Sequence, residues 1–252
     1  MPKITFFDSF LEDKRVSINY VTEQVKKNCE AGPHLEWQHE IFRPTYRTQF
    51  LSNRFNLADR VARFIDYPIQ ANKQKTDIAH VMEDGYAHLA PFLKARKKVL
   101  TFSDLIPLLG YEGKVSGLNY PHNPLLFKFS LKFLTSYDQI ITWSQNTKQD
   151  LISRFSLEEE KITIIPLAAD ETLFDASKIS KSDARKKLGL PDKSVIILIS
   201  GKEQYKNLET SIKAFCRIKE LHPYLDNDIP RRSLHRLQPS QHVGTSPFED
   251  QI

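Results

Sequence analysis

Glycine is scarce, at 8 of 252 residues. The chain therefore lacks the glycine-rich loop that cradles a dinucleotide or a nucleoside triphosphate. The two cysteines, Cys29 and Cys216, lie far apart, with no CxxC pair and no clustered histidines. That argues against a disulfide framework and against a structural zinc site. No apolar run approaches the ~18 residues of a membrane span. The opening MPKITFFDSF lacks the charged start and long apolar run of a secretory signal. Also missing are G-x-S-x-G, the Walker loop and HExxH. Lys+Arg 36 against Asp+Glu 31 leaves +5, spread along the chain. The largest tight basic cluster is Lys94, Arg96, Lys97 and Lys98. A nucleic-acid binder shows a denser stripe interleaved with aromatics. An anionic membrane surface or a phosphate-bearing substrate fits a mild excess. The expectation is a soluble, cytoplasmic protein without nucleic-acid partners, with peripheral contact to the inner membrane face left open.

What is present is alternation. β-branched and aromatic runs at Ile4–Phe7, Trp37–Phe42, Ile78–Met82, Lys98–Phe102, Gln139–Trp143, Ile162–Pro166 and Val195–Ser200 read as strands. Helical segments lie between them. One, capped by Ser17, runs to Cys29; another runs from Arg47 to Phe64 and is closed by Pro68. A third follows Gly85 and ends near Lys94, and two more cover Leu125–Leu134 and Gln145–Phe155, the latter capped by Ser144. After Asn207, Leu208, Ile212, Phe215 and Ile218 form an amphipathic stripe. Strand–helix alternation implies an α/β fold with a parallel, Rossmann-like sheet. Residues 1–170 read as the first domain, and 171–194, polar and turn-rich, as a linker. Residues 195–225 read as an incomplete second Rossmann-like unit. The tail 226–252, with three prolines and no period, reads as disordered.

In such sheets, ligands bind where loops follow the strands' carboxyl ends. Those loops carry Glu83, Asp84, Tyr86 and His88, then Ser103 and Asp104, then Ser144, and finally Lys202 and Lys206. Each has a bland alternative. Asp104 and Ser144 are well placed as helix caps, and for Ser144 capping is the preferred reading. His88 is either a hydrogen-bonded core residue or a reactive group beside Asp84 and Tyr86. Lys202 and Lys206 are either solvated charges or phosphate contacts at a helix N-terminus. The helix over Leu125–Leu134 mixes Phe127, Phe129 and Phe133 with Lys128 and Lys132. It suits a membrane interface, but a core-facing helix is preferred.

Five segments in order resemble the GT-B glycosyltransferases of family 4, "glycosyl transferases group 1". AHVMEDGYAHLA is similar to that family's HILDHSYAHL, and VLTFSDLIPLLG to its TVHDLIPLL. DQIITWSQNTKQDLISRF resembles I-x-V-S-x-x-x-x-x-D-L, and EEEKITIIPLAADETLF the inter-domain crossing. IILISGKEQYKNLETSIKAF resembles the opening of the donor domain. The resemblance implies retaining transfer of a hexosyl group from a nucleotide-sugar to a glycan or lipid-linked acceptor, as in polysaccharide biosynthesis, without a metal or other cofactor. It implies that Tyr86, His88, Ser103, Asp104 and Ser144 lie on the acceptor side. Asp104 and His88 are the catalytic candidates, and Lys202 and Lys206 would face the donor diphosphate. Ser103 stands where relatives carry His. The family's pair of glutamates eight positions apart is missing from the chain. The expectation is a donor domain truncated after Leu225, a tail of out-of-frame origin, and little or no transfer by this chain alone. The alternative is a non-catalytic Rossmann-like module that binds a glycan or a protein partner.

Overall fold

The computed structural model describes residues 1–13, 15–32, 36–48, 57–115, 124–168, 179–189 and 206–221. The chain divides into two units, Met1–Val195 and Ile196–Ile252.

In the first unit six strands form one parallel sheet: β1 Lys3–Phe7, β2 Gln38–Phe42, β3 Ile78–Val81, β4 Lys97–Phe102, β5 Gln139–Thr142 and β6 Ile162–Ile164. The order is β2-β1-β3-β4-β5-β6, with Phe7 opposite both Phe42 and Val81. The order reverses direction between β1 and β3, which opens a crevice at their carboxyl ends. All six strands fall on runs read from β-branched and aromatic content. The expected strand Val195–Ser200 lies outside the described residues.

Alternate side chains separate the two faces of the sheet. Phe7, Val81, Leu100, Phe102 and Ile140 point into one core, joined there by Leu131, Leu134 and Leu151. The helices are α1 Val16–Glu30, α2 Leu57–Val61, α3 Tyr67–Ala71, α4 Ile106–Tyr111, α5 Pro124–Leu131, α6 Gln145–Phe155 and α7 Lys181–Leu188. Ser144 caps α6, its Oγ accepting the Thr147 N–H at 3.1 Å. Ser180 and Gly189, the latter at φ 66°, bound α7; the positive φ there suits glycine. In the second unit, α8 Leu208–Leu221 carries a Glu209–Lys213 pair at 2.7 Å. Its Ile212 and Ile218 are exposed.

Three helix expectations need correction. Ser17 lies inside α1; Arg15 takes the N-cap position and makes no side-chain cap bond. The second helix neither begins at Arg47, which is not helical, nor ends before Pro68. Proline lacks an N–H and crowds the preceding turn. The chain accommodates it with a π turn over Ala62–Asp66, in which the Tyr67 N–H reaches back to the Ala62 carbonyl. That widened turn leaves the Arg63 carbonyl free of its usual helical partner. The segment after Gly85 is a 3₁₀ stretch, Asp84–Phe92, broken at Tyr86.

Candidate functional site

The crevice at the β1/β3 reversal is built from loops, and its first element is an anion. Asp8, at the end of β1, is fully buried. Its Oδ1 accepts the Ser9 N–H at 2.9 Å and the Thr22 hydroxyl at 3.2 Å. Its Oδ2 accepts Asn19 Nδ2 at 2.9 Å and Arg43 Nε at 3.0 Å. Four donors from four positions bind one carboxylate, so Asp8 fixes the entry of α1 and has nothing left for a ligand.

The next carboxylates differ. Glu83 and Asp84 follow β3 after Met82, and both are buried. Glu83 Oε1 lies 3.4 Å from Arg15 Nη2, while its Oε2 is buried without a hydrogen-bond partner among the described residues. Burial raises the Glu83 carboxyl, and the nearby Arg15 and Arg63 guanidinium groups pull it back. Asp84 has less help. Its Oδ1 accepts a long bond, 3.4 Å, from the Ser103 N–H. Burial first, then the charges of Glu83 and Asp104, push it up to about 7. The Ser103 hydroxyl is also buried and without a partner among the described residues. Asp104 Oδ1 accepts the Ile106 N–H at 2.9 Å, a local turn that starts α4.

Tyr86 and His88 are drawn into the interior instead. The Tyr86 hydroxyl donates to Asp13 Oδ2 at 2.9 Å. Its ring lies edge-on to Tyr67 at 5.0 Å, beneath the Arg63 guanidinium, and Arg63 pairs with Asp13. His88 Nε2 lies 3.0 Å from the Arg63 carbonyl and Nδ1 lies 2.8 Å from the Ser130 hydroxyl. Burial lowers its pKa to about 4, so the ring is neutral near pH 7. A carbonyl only accepts, so Nε2 carries the proton, while the single Ser130 hydroxyl proton is shared between Nδ1 and the Gly85 carbonyl, 3.1 Å away. His88 thus occupies the carbonyl that the π turn released. Both residues close the floor under the crevice.

Among the residues expected to carry the site, Ser103 and Asp104 therefore lie beside Glu83 and Asp84. Tyr86 and His88 lie below them, committed to Asp13, Arg63 and Ser130. Ser144, at the end of β5, is exposed and serves as the α6 cap. Lys206 is exposed in the second unit, and Lys202 lies outside the described residues. Glu83 and Asp84 stand in the same strand-end loop and are functional candidates that the sequence reading passes over in favour of Tyr86 and His88. The signal for them was two adjacent carboxylates just after a buried strand. Among the described residues, no three of His, Cys, Asp and Glu group so as to hold a metal ion.

The sequence matches Glycosyltransferase Family 4 over residues 13–173. The chain belongs to that family. The match covers β2 to β6 and every carboxylate of the crevice except Asp8. A family 4 domain with a six-stranded parallel sheet fits the N-terminal domain of a GT-B glycosyltransferase. By family the chain is a transferase acting on sugars. Among the curated proteins nothing matches it. No described helix is long and apolar enough to cross a membrane.

Proposed function

We propose that this family 4 chain holds the acceptor of a nucleotide-sugar-dependent glycosyltransferase at the Glu83–Asp84–Ser103–Asp104 crevice. The acceptor is a glycan or a lipid-linked sugar. The observation that carries this reading is the pair of buried, unbonded oxygens, Glu83 Oε2 and Ser103 Oγ, beside a carboxyl that titrates near 7. A buried acceptor atom left without a donor costs ~1–3 kcal/mol, more when charged. Sugar hydroxyls are donors of the kind these oxygens lack. At neutral pH Asp84 both donates and accepts, so it can hold a hydroxyl in either sense.

Transfer of a hexosyl group with retention is the reading taken from the family resemblance. Lys206 and Lys202 are assigned to the donor diphosphate, where cationic charge stabilises a departing anion. No metal enters this reading. Of these assignments, the acceptor residues are the ones carried by the six-stranded sheet. Acceptor binding is therefore the property to measure.

The test is saturation-transfer NMR with a panel of methyl glycosides, on the native chain and on Glu83→Gln and Asp84→Asn. Both substitutions keep shape and remove charge. Binding of at least one glycoside, weakened about tenfold by either substitution, is expected when a charged hydrogen bond is lost. Binding that neither substitution alters would place the acceptor elsewhere.

A further inference from the structure

The acids of the crevice outnumber the cations that serve them. Asp8 pairs with Arg43 and Asp13 with Arg63. Glu83 is left with Arg15, and Arg63 acts on it only through its field. The Arg15 Nη2 lies 3.4 Å from Glu83 Oε1, beyond ordinary hydrogen-bond length. The Arg15 side chain is 39% exposed, against 8% for Glu83. A pair of that length, with one partner in water, holds weakly. Among the described residues the side-chain oxygens of Asp84 and Asp104 bond only to backbone N–H groups, so neither carboxylate has a cation of its own.

Hydrogen bonds are wanting at the same place. Glu83, 6% exposed, keeps Oε2 without a partner among the described residues, as does the Ser103 hydroxyl. The Ser103 N–H donates its long bond to Asp84, which brings residues 83, 84 and 103 together. An alkylammonium group carries three N–H donors and a positive charge. Three under-bonded acceptors, two of them carboxylates, match it in number and in sign. The charges that act most strongly on Asp84 are those of Glu83 and Asp104, both negative. A cation arriving there relieves that repulsion as well as supplying hydrogen bonds. An anionic group would add one more like charge. Among the described residues no three of His, Cys, Asp and Glu gather as a metal site needs, so the cation that fits is one with directed N–H donors.

We infer that the acceptor of this crevice is an amino sugar, whose protonated amine displaces the Arg15 guanidinium and bonds to Glu83, Asp84 and Ser103. The inference rests on the reading of the crevice as the acceptor site and narrows it to one substrate class. Arg15 is then a placeholder: it stands near Glu83 before the ligand arrives and swings into water when the ligand brings its own cation. Its place at the start of α1 permits this, because it makes no side-chain cap bond there. The amine also acts on Asp84. That carboxyl titrates at about 7 without a ligand and falls once an ammonium stands beside it, so binding releases a proton and tightens as pH rises toward 7. Sugar amines stay mostly protonated over that range, as α-amino groups do.

Matched sets of methyl glycosides, each with a free amine, an N-acetyl group or a hydroxyl at the same ring position, test the inference on the full chain. Binding is followed at the amides of Glu83, Asp84 and Ser103. At least one amine is expected to bind about tenfold more tightly than both of its counterparts, and to tighten about tenfold or more between pH 5 and pH 7. Arg15→Gln should strengthen amine binding about threefold or more, because the competing cation is gone. Asp84→Asn should remove about tenfold of the preference for the amine and flatten its rise with pH. Sets in which all three forms bind alike would overturn the inference and leave the crevice as an acceptor site. Amine binding that Arg15→Gln weakens would also overturn it, since the guanidinium would then hold the ligand instead of giving way to it. No shift at these amides with any glycoside would overturn the acceptor reading and the inference together.

Discussion

At the amino end of the sheet, Lys97 donates to Asp138 at 2.8 Å and Arg96 lies 3.9 Å from Asp77. These cationic heads stand in water, Arg96 with 86% of its side chain exposed. At the carboxyl end, Asp8, Glu83 and Asp84 are buried, and only Asp8 has its full set of donors. The same six strands therefore carry two kinds of charge. Those at the amino end cost little to keep and contribute little. Those at the carboxyl end are expensive unless hydrogen-bonded, and Glu83 and Asp84 are only half satisfied. Such an arrangement does not serve stability, and this contrast is the ground on which the proposed acceptor site is placed at the carboxyl end.

The sharpest way to break the contrast is Asp8→Ala. It removes the acceptor of four hydrogen bonds and leaves Arg43 with only Glu23. The expected loss is ~3–5 kcal/mol, the range for breaking a buried charged pair, read from urea unfolding. A loss under about 1 kcal/mol would mean that Asp8 does not organise the α1 entry.

Asp84→Asn is expected to act in the opposite sense. The folded carboxyl titrates at about 7, raised from 3.8, so between those values the folded state binds the extra proton. Stability from this group is full below about pH 4 and is lost as pH rises toward 7. The loss is about 4 kcal/mol at most, and Glu83 tilts the same way. Asp84→Asn should flatten that descending limb and stabilise the protein at pH 8. An unchanged limb would show that Asp84 is more solvated than its burial indicates.

His88→Gln tests the floor. The folded imidazole titrates at about 4, lowered from 6.5 by burial. Its contribution is therefore present above pH 6.5 and lost as pH falls toward 4. His80, buried against Thr101 at 2.8 Å and also lowered to about 4, adds to this acid limb. The variant should lose ~1–3 kcal/mol at pH 7, because the bridge from the Arg63 carbonyl to Ser130 is broken and only Ser130 has a second partner, the Gly85 carbonyl. It should also soften the acid limb. A catalytic His88 would instead leave stability intact and remove activity.

The smallest effect belongs to the amino end. Lys97→Ala should cost under ~1 kcal/mol, and less in high salt. A larger cost would erase the difference between the two ends.

Much of this was legible before any coordinates. Runs such as ITFF, DIAHV and KVLTF announced β1, β3 and β4, because buried parallel strands need branched and aromatic side chains on both faces. Ser144 as a cap was readable because capping is local, three residues long. What the sequence does not show is non-local. Tyr86 and His88 read as acceptor-side residues, and their bonds to Asp13, 73 positions away, and Ser130, 42 positions away, have no local signal. Nothing near Pro68 foretold that a π turn would carry the helix through it, since the compensating bond comes from His88 in another element. Glu83 and Asp84 were visible as a pair, but only burial shows that they lack donors.

The most direct test is a ¹⁵N-resolved titration of the native chain with a bound-glycoside series, at pH 7 and pH 5. Saturable shifts at the amides of Glu83, Asp84, Ser103 and Asp104, with affinity that changes between the two pH values as Asp84 takes up its proton, are predicted. Binding without shifts at these four amides, or shifts confined to the amino end of the sheet, would contradict the assignment of the carboxyl end as the sugar-binding site.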